Sequence, residues 1–85
     1  CEPGHGPGLI RDRVTWAGGR LPVNLSGGLL SKGHPLGATG VANICEVVTH
    51  LRGEAGDRQR KGARTGLTHV VGLGNCASVH ILQKD

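Results

Sequence analysis

Residues 24–40 of the chain read NLSGGLLSKGHPLGATG, a stretch in which five glycines surround a single histidine, His34. Glycine allows a backbone to adopt positive φ or to approach a ligand closely. Pro35 restricts His34 to an extended or turning backbone, since the proline ring clashes with a helical conformation of the preceding residue. The pattern is typical either of a turn-rich connector or of a loop shaped around His34, and both interpretations stay open on these residues alone.

An amphipathic helix is predicted directly after this stretch, from about Leu36 or Ala38 to Arg52. Its apolar positions are spaced as one stripe of a helix, which is the pattern of a core-facing surface. The stripe consists of Val41, Ile44, Cys45, Val48 and Leu51. We therefore expect Cys45 to lie in the core.

The ends of this helix also carry recognisable signals. Thr39 or Ser31 is expected to cap the start, and Gly53 occupies the position of a C-terminal glycine. The first turn of a helix presents free N–H groups and partial positive charge, which favour an anion. The same charge disfavours an imidazolium, so we expect His34 beside it to be neutral.

The remaining elements are predicted to be short. Residues 28–31 are expected to form a strand, and residues 9–16 either a strand or a helical turn. Residues 65–71 and 76–82 are strand-like and are joined by GLGN, which predicts a β-hairpin. The order of elements is that of an α/β fold in which one helix cannot cover both faces of the sheet.

The composition predicts one small domain at most, covering residues 1–85, with a poor core of its own. The chain has 85 residues, 16 glycines and one aromatic residue, Trp16. Aromatic side chains supply the largest buried areas per residue, and a domain of this size buries only about 60% of its surface. We therefore expect the chain to be a fragment of a larger protein or to need a partner surface.

Charge and cysteine content argue against several classes of function. The formal net charge of +4 arises mainly in residues 52–64, where acidic residues interleave the basic ones and no aromatic residue is present to stack on a base. We expect a solvated loop there and no nucleic-acid partner. Three cysteines without paired spacing favour a reducing compartment, and no apolar run reaches the roughly 18–20 residues of a membrane span.

The chemistry available to His34 is that of a general base or an oxyanion donor. A neutral imidazole takes a proton from a thiol or hydroxyl, or donates its N–H to a developing oxyanion. A purely structural histidine, bonded to a neighbouring turn, is the alternative. No histidines and cysteines stand at the spacing of a metal site, and neither GHPLGATG nor GLGNCA matches a phosphate-binding or dinucleotide-binding motif in the required context.

A family resemblance narrows these alternatives. The segment VNLSGGLLSKGHPLGATGVANICEVV resembles the C-terminal signature of the thiolase superfamily, VNxxGGxxxxGHPxGxxG, and is most similar to the sterol-carrier-type thiolases and related bacterial lipid-transfer proteins. The likeness extends over about residues 1–82. It implies the C-terminal part of the α/β thiolase fold: a strand, a helix and the terminal hairpin of a mixed sheet. It further implies two similar halves in a five-layered subunit, and a homodimer.

The resemblance also implies roles for individual residues. His34 matches the family's histidine that activates a nucleophilic cysteine and stabilises the thioester oxyanion. Ser26, Gly27 and Gly28 fall in the substrate-side loop, and the glycine turn adds Gly72 and Gly74 to the expected substrate-binding residues. The implied substrate is an acyl-CoA, with no separate cofactor or metal. The nucleophilic cysteine belongs to the family's N-terminal half, so we expect the isolated chain to be inactive.

One departure from the family pattern affects the reaction. Ordinary thiolases carry a second catalytic cysteine in a CxGGG motif, and aligning that motif with VVGLGN places Val70 at the cysteine position. Sterol-carrier-type members also lack this cysteine and are thought to use one from an upstream loop. The resemblance therefore implies an acyl-CoA acyltransferase in the cytoplasm, or in peroxisomes of a eukaryote. A retro-aldolase or lyase subunit for steroid CoA esters, and a non-catalytic fragment, are the alternatives.

Overall fold

The computed structural model describes all 85 residues and has two parts. The N-terminal part carries two short helices, α1 (Gly6–Arg11) and α2 (Gly28–Lys32). The C-terminal part carries the long helix α3 (Thr39–Arg52), a single 3-10 turn, and the strands β1 (Thr65–Gly72) and β2 (Cys76–Gln83). Neither α1 nor α2 packs against another helix or strand, whereas α3 lies against both strands. No helix in the chain combines the length and the apolar character that crossing a membrane requires.

The hairpin predicted from residues 65–82 is confirmed. β1 and β2 pair antiparallel over their whole length, with Thr68 opposite His80 and Val70 opposite Ser78. Alternate residues of a strand point to opposite faces. The face of β1 that includes Thr68 and Val70 lies toward α3, and Thr68 is buried there.

The core between α3 and the hairpin is small. Leu51 and Ala55 are the buried apolar residues, and Thr39 and Thr68 are the buried polar ones. The opposite face of the hairpin is apolar and open to solvent, with Leu67, Val71, Val79 and Ile81 between 52% and 70% exposed. This arrangement agrees with the expectation that a single helix covers only one face of the sheet.

The strand predicted at residues 28–31 is wrong, because this segment forms helix α2. Gly27 has φ +91° and Gly28 has φ +68°, so the backbone turns sharply where a strand would begin. The side-chain oxygen of Ser26 accepts a hydrogen bond from the Gly28 N–H. A strand also needs a paired neighbour for its backbone groups, whereas a short helix satisfies part of them internally. The helical-turn alternative for residues 9–16 is confirmed in part by α1.

Helix α3 forms where the sequence predicted a helix, but the face that it buries differs from the prediction. Cys45 is exposed, not in the core as its position on the apolar stripe predicted. Val47, one position off that stripe, packs instead against Gly66 of β1. The helix therefore carries apolar side chains on more than one face, a pattern found in helices that are buried on several sides.

The predicted start of α3 is corrected as well, whereas its end is confirmed. Neither Thr39 nor Ser31 caps the helix, since the N-cap residue is Ala38 and no side chain accepts from the first turn. At the other end Gly53 has φ +76°, the left-handed conformation that glycine tolerates best. Its N–H donates to the His50 carbonyl, and the N–H of the next residue donates to the Thr49 carbonyl. These two bonds close the helix as a Schellman motif.

Candidate functional site

His34 lies at a cavity between the N-terminal end of α3 and the hairpin turn. The cavity has a volume of about 270 Å³. The loop before α3 supplies one wall with His34 and Leu36, and the end of β1 with its turn supplies the other with Val70 and Leu73. The fold therefore brings the histidine of the glycine-rich loop next to the glycine turn of the hairpin, although the two segments are far apart along the chain.

A second cavity, of about 300 Å³, continues from the first. The two share Gly37 and Gly40 on the helix side and Val70 on the strand side. The second extends to Cys76 and Ser78 of β2. Together they form a groove that starts at His34 and ends at the first residues of β2. We call it the His34 groove.

The imidazole of His34 is held by one side chain. Its Nδ1 atom lies 2.7 Å from Oγ1 of Thr39, the first residue of α3. The same Thr39 hydroxyl lies 3.2 Å from the carbonyl oxygen of Pro35 and donates to it. The other ring nitrogen, Nε2, hydrogen-bonds to no group of the chain. Nε2 is therefore free to exchange a proton with a ligand or with another part of a larger protein.

The first turn of α3, whose first residue contacts the histidine ring, has unpaired backbone donors. The N–H groups of Ala38 and Thr39 donate to the carbonyl of Pro35. The N–H groups of Gly40 and Val41 donate to no acceptor in the chain. Free N–H groups at a helix start attract negative charge, as does the positive end of the helix dipole. The groove therefore combines a histidine with an environment suited to an oxyanion.

The residues predicted for substrate binding lie in two places. Gly72 lines the cavity beside His34. Gly74 lies in the hairpin turn that follows it, with φ +81°. Ser26, Gly27 and Gly28 lie at the start of α2, outside both cavities of the His34 groove. Their roles in substrate binding stay predictions.

Val70 lies in the His34 groove, on the face of β1 that points toward α3. It thus occupies the position that the motif alignment gave to a second cysteine, with an aliphatic side chain that transfers no proton. The neighbouring His69 lies on the opposite, exposed face, as strand alternation predicts. Cys76 lies at the far end of the groove.

The sequence did not predict the role of Thr39 as the hydrogen-bond partner of His34. Thr39 was expected only as a helix cap. It is 3% exposed, and its five-residue separation from His34 is spanned by the turn at Pro35. A signal was present, since a threonine at the first position of a helix directly follows the GHP turn. The apolar walls supplied by Leu36 and Leu73 were likewise not predicted.

A polar network at the other end of α3 fixes the following loop. Arg58 forms two hydrogen bonds to the Glu46 carboxylate, from Nε at 2.7 Å and from Nη2 at 2.9 Å. These hydrogen bonds and the attraction of opposite charges lower the pKa of the Glu46 carboxyl and raise the pKa of the Arg58 guanidinium. His50 Nε2 lies 3.2 Å from the same carboxylate, and His50 Nδ1 accepts the Arg60 N–H. No group of three or more histidine, cysteine or acidic side chains is placed to bind a metal ion.

Comparison with known proteins shows which family the chain resembles. A family model described as "Thiolase C-terminal domain-like" matches residues 1–84. The chain is 52% identical over 84 residues to an acetyl-CoA acetyltransferase of Methanothermobacter thermautotrophicus, covering 98% of the chain and 22% of that protein. It is 49% identical to sterol carrier protein 2 of Bos taurus, covering 93% of the chain and 14% of the relative.

A third relative is the benzoylsuccinyl-CoA thiolase subunit BbsB of Thauera aromatica, 39% identical over 87% of the chain and 20% of its own length. The chain therefore belongs to the thiolase family and corresponds to its C-terminal domain. It spans about a fifth or less of the length of these relatives.

Proposed function

We propose that the chain is the C-terminal part of an acyl-CoA acyltransferase in which His34 serves as general base and oxyanion donor. The parent protein is the longer protein to which this chain would belong. The observation that carries the proposal is the free Nε2 of His34, in a groove that Thr39 and Gly40 of the first turn of α3 also line. The relatives named as an acetyltransferase and a thiolase subunit support the same reaction class.

The chemistry begins with a proton transfer. Nε2 of His34 takes the proton of a cysteine thiol, so that an S–H bond breaks, an N–H bond forms, and the thiolate attacks the thioester carbonyl. The negative charge that develops on the carbonyl oxygen is stabilised by hydrogen bonds, for which the imidazolium and the first turn of α3 offer donors. The resemblance assigns the nucleophilic cysteine to the N-terminal half of the family's subunit.

The walls of the His34 groove suit a thioester substrate with an apolar acyl group. Leu36, Val70 and Leu73 provide apolar surface beside the reacting nitrogen. Leu36 and Leu73 are 73% and 91% exposed, so this surface would exclude water once the rest of the subunit covers the groove, and that would strengthen the electrostatic interactions of the site. The substrate of the parent protein is therefore proposed to be an acyl-CoA, in a lipid-related or sterol-related reaction like those suggested by the names of the sterol carrier relatives.

Val70 favours a second candidate reaction, retro-aldol cleavage of a steroid CoA ester. Claisen condensation and thiolysis need an acid or base at the α-carbon of the substrate, and Val70 supplies none in the groove. Either another residue of the parent protein supplies that proton, or the reaction is a retro-aldol cleavage. In that cleavage a base takes the β-hydroxyl proton, the Cα–Cβ bond breaks, and the same proton passes to the α-carbon of the enolate, so no second acid is needed. Thiolysis that requires a second upstream cysteine, in addition to the nucleophile, supports the first case. Release of a ketone from a β-hydroxyacyl-CoA supports the second.

The setting of the parent protein is part of the same proposal. We propose that it acts in the cytoplasm, or in peroxisomes if the source is a eukaryote, and that it forms a homodimer. Acyl-CoA and the rest of the subunit are its expected partners. The apolar outer face of the hairpin, with Ile81 70% exposed, is consistent with a part that is covered by the rest of the subunit.

The proposal is tested by thiolysis of an acyl-CoA series with the purified parent protein. We expect His34→Asn to lower kcat/KM by roughly 10²- to 10⁴-fold, the usual contribution of a general base. His69→Asn is the matched control, because His69 lies on the opposite face of the hairpin. Undiminished turnover by His34→Asn would sink the proposal. The isolated 85-residue chain is expected to show no thiolysis, and activity there would also contradict it.

A further inference from the structure

We infer that Thr39 is a positioning residue that holds His34 in the tautomer with its proton on Nδ1. This inference rests on the proposed function of His34. Thr39 begins α3 at the edge of the His34 groove and is almost completely buried, with 3% of its surface exposed. Its hydroxyl is the hydrogen-bond partner of the histidine ring.

The direction of the two hydrogen bonds follows from the single proton of the hydroxyl. Thr39 Oγ1 lies 3.2 Å from the Pro35 carbonyl oxygen, which has no proton and can only accept. If the hydroxyl donates to that carbonyl, the His34 nitrogen 2.7 Å away must donate to Oγ1. In the reverse assignment the hydroxyl donates to Nδ1, the Pro35 carbonyl keeps only its two N–H donors, and the 3.2 Å contact between the two oxygens contains no proton. Both contacts are hydrogen bonds only if Nδ1–H donates to the hydroxyl oxygen and the hydroxyl donates to the carbonyl.

The tautomer decides what the free nitrogen can do. Which imidazole nitrogen carries the proton is set by the hydrogen bond that the other nitrogen makes. A proton on Nδ1 leaves a lone pair on Nε2, the nitrogen without a partner in the chain. Nε2 can then take a proton from a thiol, while the Nδ1–H bond to Thr39 stays in place before and after the transfer. The opposite tautomer would present an N–H to the thiol and could not act as a base.

The backbone around Thr39 keeps the hydroxyl in this position. The N–H groups of Ala38 and Thr39 both donate to the Pro35 carbonyl, at 3.0 and 3.1 Å. The carbonyl that accepts the hydroxyl is thereby fixed relative to the first turn of α3. Thr39 thus links the helix, the proline turn and the imidazole in one arrangement.

The first experiment reads the tautomer directly in the parent protein labelled with ¹⁵N-histidine. Long-range ¹H–¹⁵N spectra at pH 8, above the ordinary titration range of histidine, distinguish the two neutral tautomers, and His34→Asn assigns the signal. We expect the Nδ1–H form in the wild type and in Thr39→Ser, and a changed tautomer population in Thr39→Val. An Nε2–H tautomer in the wild type overturns the inference, even if neither Thr39 variant folds.

The second experiment measures the effect on turnover. Thr39→Val, which keeps the shape and removes the hydroxyl, is expected to lower kcat on the order of 10- to 100-fold, because misplacing a reacting group has about that effect. KM is expected to stay nearly unchanged, and Thr39→Ser is expected to stay within about threefold of the wild type, since it retains the hydroxyl. Thr39→Val with unchanged tautomer and kcat overturns the inference.

These outcomes separate the inference from the proposed function. If His34→Asn remains fully active, the proposed function fails, and so does the role of Thr39 in positioning a catalytic base. The spectrum still reports whether the hydrogen-bond chain exists. If His34 is required but its wild-type tautomer carries the proton on Nε2, only the inference about Thr39 fails.

Discussion

Gly66 of β1 lies directly under Val47 of α3, so that a β-carbon on Gly66 would overlap the Val47 side chain. This close approach sets the separation of the helix from the hairpin. The same separation places the first turn of α3, with His34 before it, beside the end of β1 that completes the His34 groove.

Gly66→Ala is therefore expected to destabilise the protein by about 1–3 kcal/mol, the usual cost of overpacking a well-packed contact. Urea unfolding of the parent protein measures the effect. Gly18→Ala is the control, because a β-carbon at Gly18 meets open space. Val47→Ala in the same chain should recover part of the loss, and a Gly66→Ala variant as stable as the control would show that the contact does not fix the spacing.

Val70→Cys is expected to place a thiol inside the His34 groove with little loss of stability, since the two side chains are similar in size. If the groove binds the substrate, acyl-CoA should slow the alkylation of this thiol by iodoacetamide. Tandem mass spectrometry of the peptide measures the extent of alkylation. Cys45 is the internal control, because it is exposed on α3 and outside the groove. Equal protection of both thiols, or of neither, contradicts a substrate site at the groove.

The ion pair of Glu46 and Arg58 is expected to make stability depend on pH. Arg58 lowers the pKa of the Glu46 carboxyl in the folded protein from its ordinary value of 4.5. A lowered folded pKa means that the stabilisation is complete above the unfolded value and is lost as pH falls toward the lowered value. The difference in unfolding midpoint between wild type and Glu46→Gln should therefore be full well above pH 4.5 and shrink as the pH falls through 4.5 and below.

Glu54→Gln is the control for that series, since Glu54 is exposed and its side chain forms neither a hydrogen bond nor an ion pair. A constant difference between wild type and Glu46→Gln over the whole pH range would show that the pair contributes nothing through ionisation.

Gln59 holds the loop after α3 with three hydrogen bonds. Its Nε2 donates to the carbonyls of His50 and Arg60, both at 2.8 Å, and its Oε1 accepts the Ala55 N–H at 2.9 Å. Gln59→Ala leaves the buried Ala55 N–H and the Arg60 carbonyl without these partners, whereas the His50 carbonyl keeps the N–H of the glycine that ends α3. The change should cost about 1–3 kcal/mol. Urea unfolding gives the value. Gln83→Ala, at the exposed end of β2, should have almost no effect, and equal losses in both variants would contradict the role of Gln59.

The elements that the sequence predicted well are those with a strong local pattern. Helix α3 has a long apolar periodicity and a glycine at its end, and the hairpin has two β-rich runs around a glycine turn. The error at residues 28–31 has a local cause, since two glycines with positive φ turn the chain before α2. Cys45 and Val47 lie about 200° apart around the helix axis, at about 100° per residue. Only the tertiary contact with Gly66 decides that the side carrying Val47 faces the hairpin.

The candidate site was predicted in part. The family motif identified His34, and strand alternation correctly separated His69 from Val70. The partner of the imidazole could not be predicted, because the contact between Thr39 and His34 depends on the turn at Pro35 and on the burial of the threonine. The apolar wall formed by Leu73 depends on how the hairpin meets the helix, which no local pattern encodes.

The central claim is that Nε2 of His34 activates a thiol for attack on an acyl-CoA. The most direct measurement is the first turnover of the parent protein, in which rapid mixing with acyl-CoA releases CoA as the acyl group is transferred to the enzyme. We predict a fast burst of CoA in the wild type and in His69→Asn, and a burst rate reduced by roughly 10²- to 10⁴-fold in His34→Asn. A burst of unchanged rate and amplitude in His34→Asn would contradict the claim.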